Sequence, residues 1–163
     1  MRAAPLSEVT AFHEAGHVVV GLVLGLVLGD ADIVATEGRG GVTHFEDDRL
    51  LEYEVADELV DAWGATTWAG VVAQERAGYP DDGSGFGHSA DGQGVASGSD
   101  LASLLELIDR FVGEDGDEAS ARWRTLADQT IGEHWAAVQR VAAGFLSDGR
   151  LSGREAVRLV AET

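Results

Sequence analysis

The chain has 163 residues, 45% of them hydrophobic, a formal net charge of -18, no lysine and no cysteine. That length and apolar content suit one folded domain with a real core and exclude general disorder. The charge argues against nucleic acid or an anionic membrane as partner and favours a basic surface, and without cysteine a metal can be held only by His, Asp or Glu.

At the N-terminus Met1-Arg2-Ala3-Ala4-Pro5 runs into Ser7 and Glu8 without the apolar stretch of a signal peptide. Ser7 is a reasonable N-cap for a helix from about Glu8 into the mid-twenties. The apolar run Val18 to Leu28 is about half of what a bilayer crossing needs and is interrupted by Gly21, Gly25 and Gly29. It reads as a buried central helix, and a soluble, cytoplasmic protein is expected.

Within that helix stand His13, Glu14 and His17 in the order H-E-x-x-H. Residues four apart on a helix leave the same face one turn above the other, so both imidazoles can grip one zinc ion. Glu14 would then stand beside the open coordination position as a general base. The plain alternative is two histidines on an ordinary buried helix.

From Asp30 to Glu46 the period changes. Ile33 to Thr36 and Val42 to Phe45 read as two strands around the turn Gly38-Arg39-Gly40-Gly41. An edge strand there would offer an extended peptide a backbone to pair with, or simply cover one side of the core. Asp47 to Arg76 reads as one long helix or a broken pair, with Leu50, Leu51, Val55, Leu59, Val60, Trp63, Trp68, Val71 and Val72 as its stripe. Gly78 to Ser99 carries seven glycines and one proline and reads as a flexible loop that includes His88.

An amphipathic helix opens at Asp100, with Leu101, Leu104, Leu105, Ile108, Phe111 and Val112 on one face. Gly113 to Glu118 breaks it, and a short polar helix follows over about Ala119 to Ala127. Thr130 with Glu133 and Ser152 with Glu155 have capping-box spacing, so two terminal helices are expected to start there, the first ending at Gly149. Ile131, Trp135, Val138, Val141, Phe145 and Leu146 should face the core, and His134 reads as a surface or core histidine.

Two imidazoles leave zinc needing a third protein ligand. Asp100, in the first turn of its helix, is the first choice, although a capping role explains an Asp there equally well. Asp91, Glu106 and Asp109 are the rivals.

His13-Glu14-Ala15-Gly16-His17 resembles the zinc motif of the peptidase domain in FtsH-type ATP-dependent proteases. Gly38 to Thr43 resembles the family's strand at its glycine-rich turn, and Trp68 to Glu75 its G-G-R-A-A-E-E helix. Gly98-Ser99-Asp100-Leu101 resembles the segment whose aspartate completes the zinc site, and Thr130 to Val160 the terminal helix pair. The resemblance implies His13, His17 and Asp100 as zinc ligands, Glu14 as catalytic base, and Glu75 as either a partner holding an imidazole or a solvated residue. It also implies a mainly helical α+β fold with a small sheet at the cleft.

The chain departs from the family in three ways. A stand-alone domain without an ATPase module or membrane anchor ahead of the motif is expected, the stretch between the Asp100 helix and the last helix pair is shorter, and Gln74 replaces a usual acid. The expected activity is zinc-dependent hydrolysis of flexible or unfolded polypeptides. The competing reading is a non-catalytic module whose acidic surface docks a basic partner, and a third is hydrolysis of a small amide. A homo-oligomer and a separate ATPase partner are both compatible with the sequence.

Overall fold

The structure, a computed structural model, describes residues 6–32, 41–81 and 99–162. The elements run α1 (Leu6–Val23), β1 (Leu28–Asp32), β2 (Val42–Phe45), a 3-10 turn (Arg49–Leu51), α2 (Asp57–Arg76), α3 (Asp100–Phe111), a second 3-10 turn (Gly113–Asp115), α4 (Gly116–Glu133), α5 (Trp135–Asp148), β3 (Arg150–Leu151) and α6 (Gly153–Ala161). The fold is therefore mainly helical with one small sheet. The sheet is antiparallel in the order β2-β1-β3, so β2 lies at an edge. Among the described residues no helix is long and apolar enough to cross a membrane.

The central position expected of the first helix holds. Ala11, Ala15, Val18, Val19 and Val20 have no exposed surface, and α1 packs chiefly on α2 and α5. Gly16 permits the closest of these approaches, since a Cβ there would lie 2.2 Å from the carbonyl oxygen of Ala69 in α2. The helix includes Leu6, so it begins ahead of the expected Ser7 cap. It stops in a Schellman turn: Gly25 takes φ +89°, Leu26 N–H reaches Gly21 O at 2.8 Å, and Gly25 N–H reaches Leu22 O at 3.2 Å. The apolar run after Gly25 therefore feeds β1 at Leu28, five residues ahead of the strand expected at Ile33 to Thr36. Residues 33–40 lie outside the described part, as do 82–98 with His88 and Asp91.

Three further expectations are corrected. The helix expected from Asp47 starts at Asp57, and Leu51 of its supposed stripe is exposed. On α3 it is Leu107 that is buried beside Leu104, while Leu105 points outward. The short polar helix is the 18-residue α4, which continues through the supposed capping box. Ala119, Trp123, Ala127 and Ile131 recur every four residues and are all buried, so packing carries the helix past Thr130. The Thr130 hydroxyl accordingly donates back to Leu126 O at 2.8 Å, and the break falls at His134. The other capping box is present: Ser152 Oγ accepts from Glu155 N–H and Glu155 accepts from Ser152 N–H. Gly149 closes α5 with φ +74°.

Candidate metal centre

The four-residue spacing of His13 and His17 on α1 meets a matching spacing on α2, where Thr66, Gly70 and Gln74 form a row of one residue per turn. The helices run antiparallel across this contact, so His17 lies against Thr66 and His13 against Gln74. His17 donates from Nδ1 to the carbonyl oxygen of Thr66 at 2.7 Å, and His13 donates from Nδ1 to Gln74 Oε1 at 3.1 Å. Gly70 lies between them. A Cβ at that position would stand 2.5 Å from Nε2 of both rings, so only glycine leaves the space in front of the imidazoles clear.

Into that space comes Asp100 from α3. Its Oδ2 lies 2.8 Å from His13 Nε2 and 3.1 Å from His17 Nε2. The capping role that competed with ligation in the sequence belongs to Ser99, whose Oγ accepts from Ala102 N–H. Asp100 is thereby free to point away from its own helix. The imidazole side chains are 12% and 8% exposed and that of Asp100 23%, so the cluster meets solvent chiefly at the carboxylate.

The protonation pattern of this cluster is constrained. A neutral imidazole that donates through Nδ1 carries a bare lone pair at Nε2. Two such lone pairs aimed at a carboxylate oxygen repel it unless a positive charge lies among them. With protons alone, burial opposes charging His17, but the attraction and hydrogen bond of Asp100, helped by Glu14, outweigh it and raise the ring to about 10. Burial would likewise raise Asp100, yet the His17 charge and the hydrogen bonds from both imidazoles hold it well below the usual carboxylate range.

A divalent cation would satisfy the same charge requirement. Ligand atoms around a tetrahedral zinc, at 2.0–2.1 Å from the ion, are roughly 3.3 Å apart. The separations of 2.8 and 3.1 Å fall within a few tenths of an ångström of that. The donor set of two imidazole nitrogens and one carboxylate, the fixed Nδ1–H groups and the clear space over Gly70 all fit zinc.

Glu14 completes the group. It is buried, its carboxylate lies within 4.8 Å of the histidine ligand atoms, and it accepts a 2.5 Å hydrogen bond from the Thr43 hydroxyl on β2. The edge strand is thus tied to the H-E-x-x-H motif. The structure also decides between the two readings of Glu75. Glu75 is exposed and paired with Arg124 Nη2 at 3.1 Å, and the residue that holds an imidazole is its neighbour Gln74. Of the rival acids, Glu106 and Asp109 are exposed on α3 and Asp91 is outside the described residues. Thr43, Thr66, Gly70 and Gln74 were not singled out from the sequence as site residues. The Thr66, Gly70, Gln74 repeat at the His13, His17 interval was the available signal. Neither a protein-family model nor a curated protein matches the chain.

Proposed function

We propose that this chain is a zinc-dependent peptidase domain of the FtsH type that hydrolyses peptide bonds in flexible or unfolded polypeptides. The observation that carries the reading is that Asp100 Oδ2 lies 2.8 Å from His13 Nε2 and 3.1 Å from His17 Nε2, with the Glu14 carboxylate beside them. The ordered sequence landmarks that resemble the FtsH-type peptidase domain support it.

Zinc, when bound, supplies Lewis-acid polarisation of the scissile carbonyl and lowers the pKa of water toward about 7. Glu14 accepts the proton of the attacking water and passes it to the leaving amine, while Thr43 fixes the direction of its carboxylate. Gln74 and the Thr66 carbonyl hold the imidazoles in the tautomer that presents Nε2. The substrate backbone adds a strand at the β2 edge, which brings its carbonyl past Glu14.

The test is cleavage of an unfolded protein such as casein with and without a zinc chelator. Cleavage should need the metal, and Glu14→Gln should abolish it while zinc stays bound at one ion per chain. Turnover in that variant, or chelator-insensitive cleavage, removes the proposal.

A further inference from the structure

We propose, resting on the peptidase reading, that Thr43 couples the edge strand to the catalytic base. A substrate backbone paired with the outer edge of β2 holds Thr43, and through it the Glu14 carboxylate, in the orientation that accepts the proton. The substrate class this selects is a polypeptide long and extended enough to add a strand. Its pairing then speeds the chemical step and does not merely tighten binding.

The backbone of Thr43 faces the open edge. Among the described residues β2 pairs with β1 alone, through Leu28↔Phe45, Ala31↔Thr43 and Asp32↔Val42. Glu46 N–H reaches Val27 O at 2.7 Å, so residue 46 turns its peptide groups toward β1. Peptide groups alternate sides along an antiparallel strand. Phe45 and Thr43 therefore turn theirs away from β1, to the side that no other described strand occupies. The Thr43 side chain leaves the sheet toward α1, where its hydroxyl donates to Glu14 Oε2 at 2.5 Å. One residue thus offers its backbone to a substrate and its side chain to the base.

Without a substrate the hold on Thr43 is one-sided. β2 has four residues, and its side-chain anchor is Phe45, whose ring lies over Gly21 and edge-on to Trp63 at 5.6 Å. Thr43 is two residues, about 6.6 Å, along the strand from that anchor. A short strand paired on one side opens more readily than one paired on both. A peptide that pairs with Thr43 and Phe45 adds the second ladder there. Glu14 is 5% exposed, so the Thr43 hydroxyl, more than solvent, sets the plane of its carboxylate. Binding energy gained along the substrate backbone is then used to orient the base, and truncated substrates lose kcat as well as affinity. A displacement of about an ångström at a reacting group costs on the order of a hundredfold in rate. Substrate side chains take no part in this coupling, so it favours accessible, extended backbone whatever its sequence.

The test has two arms. In the first, the zinc-loaded protein cleaves a blocked dipeptide and an octapeptide with the same scissile bond. The dipeptide is too short to pair with both Thr43 and Phe45, and the octapeptide should show a kcat at least tenfold higher. Thr43→Val keeps the shape of the side chain and loses the hydroxyl. In that variant the ratio of the two kcat values should fall to within threefold of one, with zinc affinity unchanged, whereas Thr43→Ser should keep the ratio. Octapeptides methylated at a single backbone nitrogen should lose the gain in wild-type protein at alternate positions, as strand pairing demands. In the second arm, which needs no turnover, amide exchange is followed by NMR in the zinc-loaded Glu14→Gln protein. The octapeptide should slow exchange at the Thr43 and Phe45 N–H tenfold or more and leave His44, which faces β1, as it was. A length effect confined to KM, a full kcat ratio in Thr43→Val, its loss in Thr43→Ser, or unprotected Thr43 and Phe45 amides overturns the coupling. Absence of chelator-sensitive cleavage on every peptide overturns the peptidase reading instead, and the exchange arm then still decides whether the β2 edge takes a strand.

Discussion

Gly70→Ala separates the metal-centre reading from that of an ordinary buried helix, because the two make opposite demands on this residue. In a helix interior Ala is favoured over Gly by ~1 kcal/mol. Against that, the new Cβ would stand 2.5 Å from Nε2 of His13 and of His17, about an ångström inside van der Waals contact. Overpacking of this kind costs ~1–3 kcal/mol, at the low end where the clashing atoms are the ends of side chains that can swing. With zinc removed by a chelator the imidazoles can move, so the variant should stay folded and within ~2 kcal/mol of wild type in urea unfolding. With zinc the same two nitrogens are pinned, and the methyl occupies the space in front of them. Affinity should fall at least tenfold to a hundredfold, the loss of ~1.4–2.8 kcal/mol typical of a disturbed ligand shell. Competition with a chromophoric zinc chelator measures this directly. Wild-type zinc affinity in a well-folded Gly70→Ala protein would show that nothing is bound over Gly70 and refute the geometry.

Other expectations follow from the same contacts. Asp100→Ala removes the carboxylate that lies within hydrogen-bond distance of both Nε2 atoms, and metal analysis of the purified variant should find far less than one zinc per chain. Gln74→Leu frees the His13 ring and should weaken zinc tenfold to a hundredfold, whereas Glu75→Ala breaks only an exposed pair with Arg124 and should leave zinc affinity unchanged; the same titration separates them. The chelated protein should be pH-sensitive. His17, raised to about 10 when folded from 6.5, contributes stability that is fully present below pH 6.5 and is lost as pH rises toward 10. Asp100, depressed by folding, contributes stability present above its ordinary value of 3.8 and lost as pH falls below it. Melting temperature in chelator should therefore be highest between about pH 4 and 6.5, and Asp100→Asn should flatten the alkaline fall. Zinc must displace the His17 proton, so its affinity should climb through the window in which that stability declines.

What the sequence determined by itself were the features set by local chemistry. The His13, His17 interval, the all-round apolar character of α1, the Ser152–Glu155 box and the Gly149 stop involve residues within about a turn of one another, and each is found where its spacing puts it. Where a local signal competed with packing, packing won. Thr130 and Glu133 satisfy the capping pattern, but the buried row Ala119, Trp123, Ala127 and Ile131 carries α4 through them. The apolar Leu28 belongs to a strand because Gly25 can turn left-handed three residues earlier, a choice that hydrophobicity does not record.

Tertiary structure alone decided the rest of the centre. Asp100 could cap or ligate, and Ser99 taking the cap left it free to meet residues 87 and 83 positions away. Glu75 and Gln74 are adjacent in sequence, yet the rotation of α2 against α1 turns the amide to His13 and the carboxylate to Arg124. Periodicity fixes which residues share a helix face; which face meets which neighbour depends on close approaches such as Gly16 against Ala69. That packing sets the phase of α2 and, with it, the partner of each imidazole.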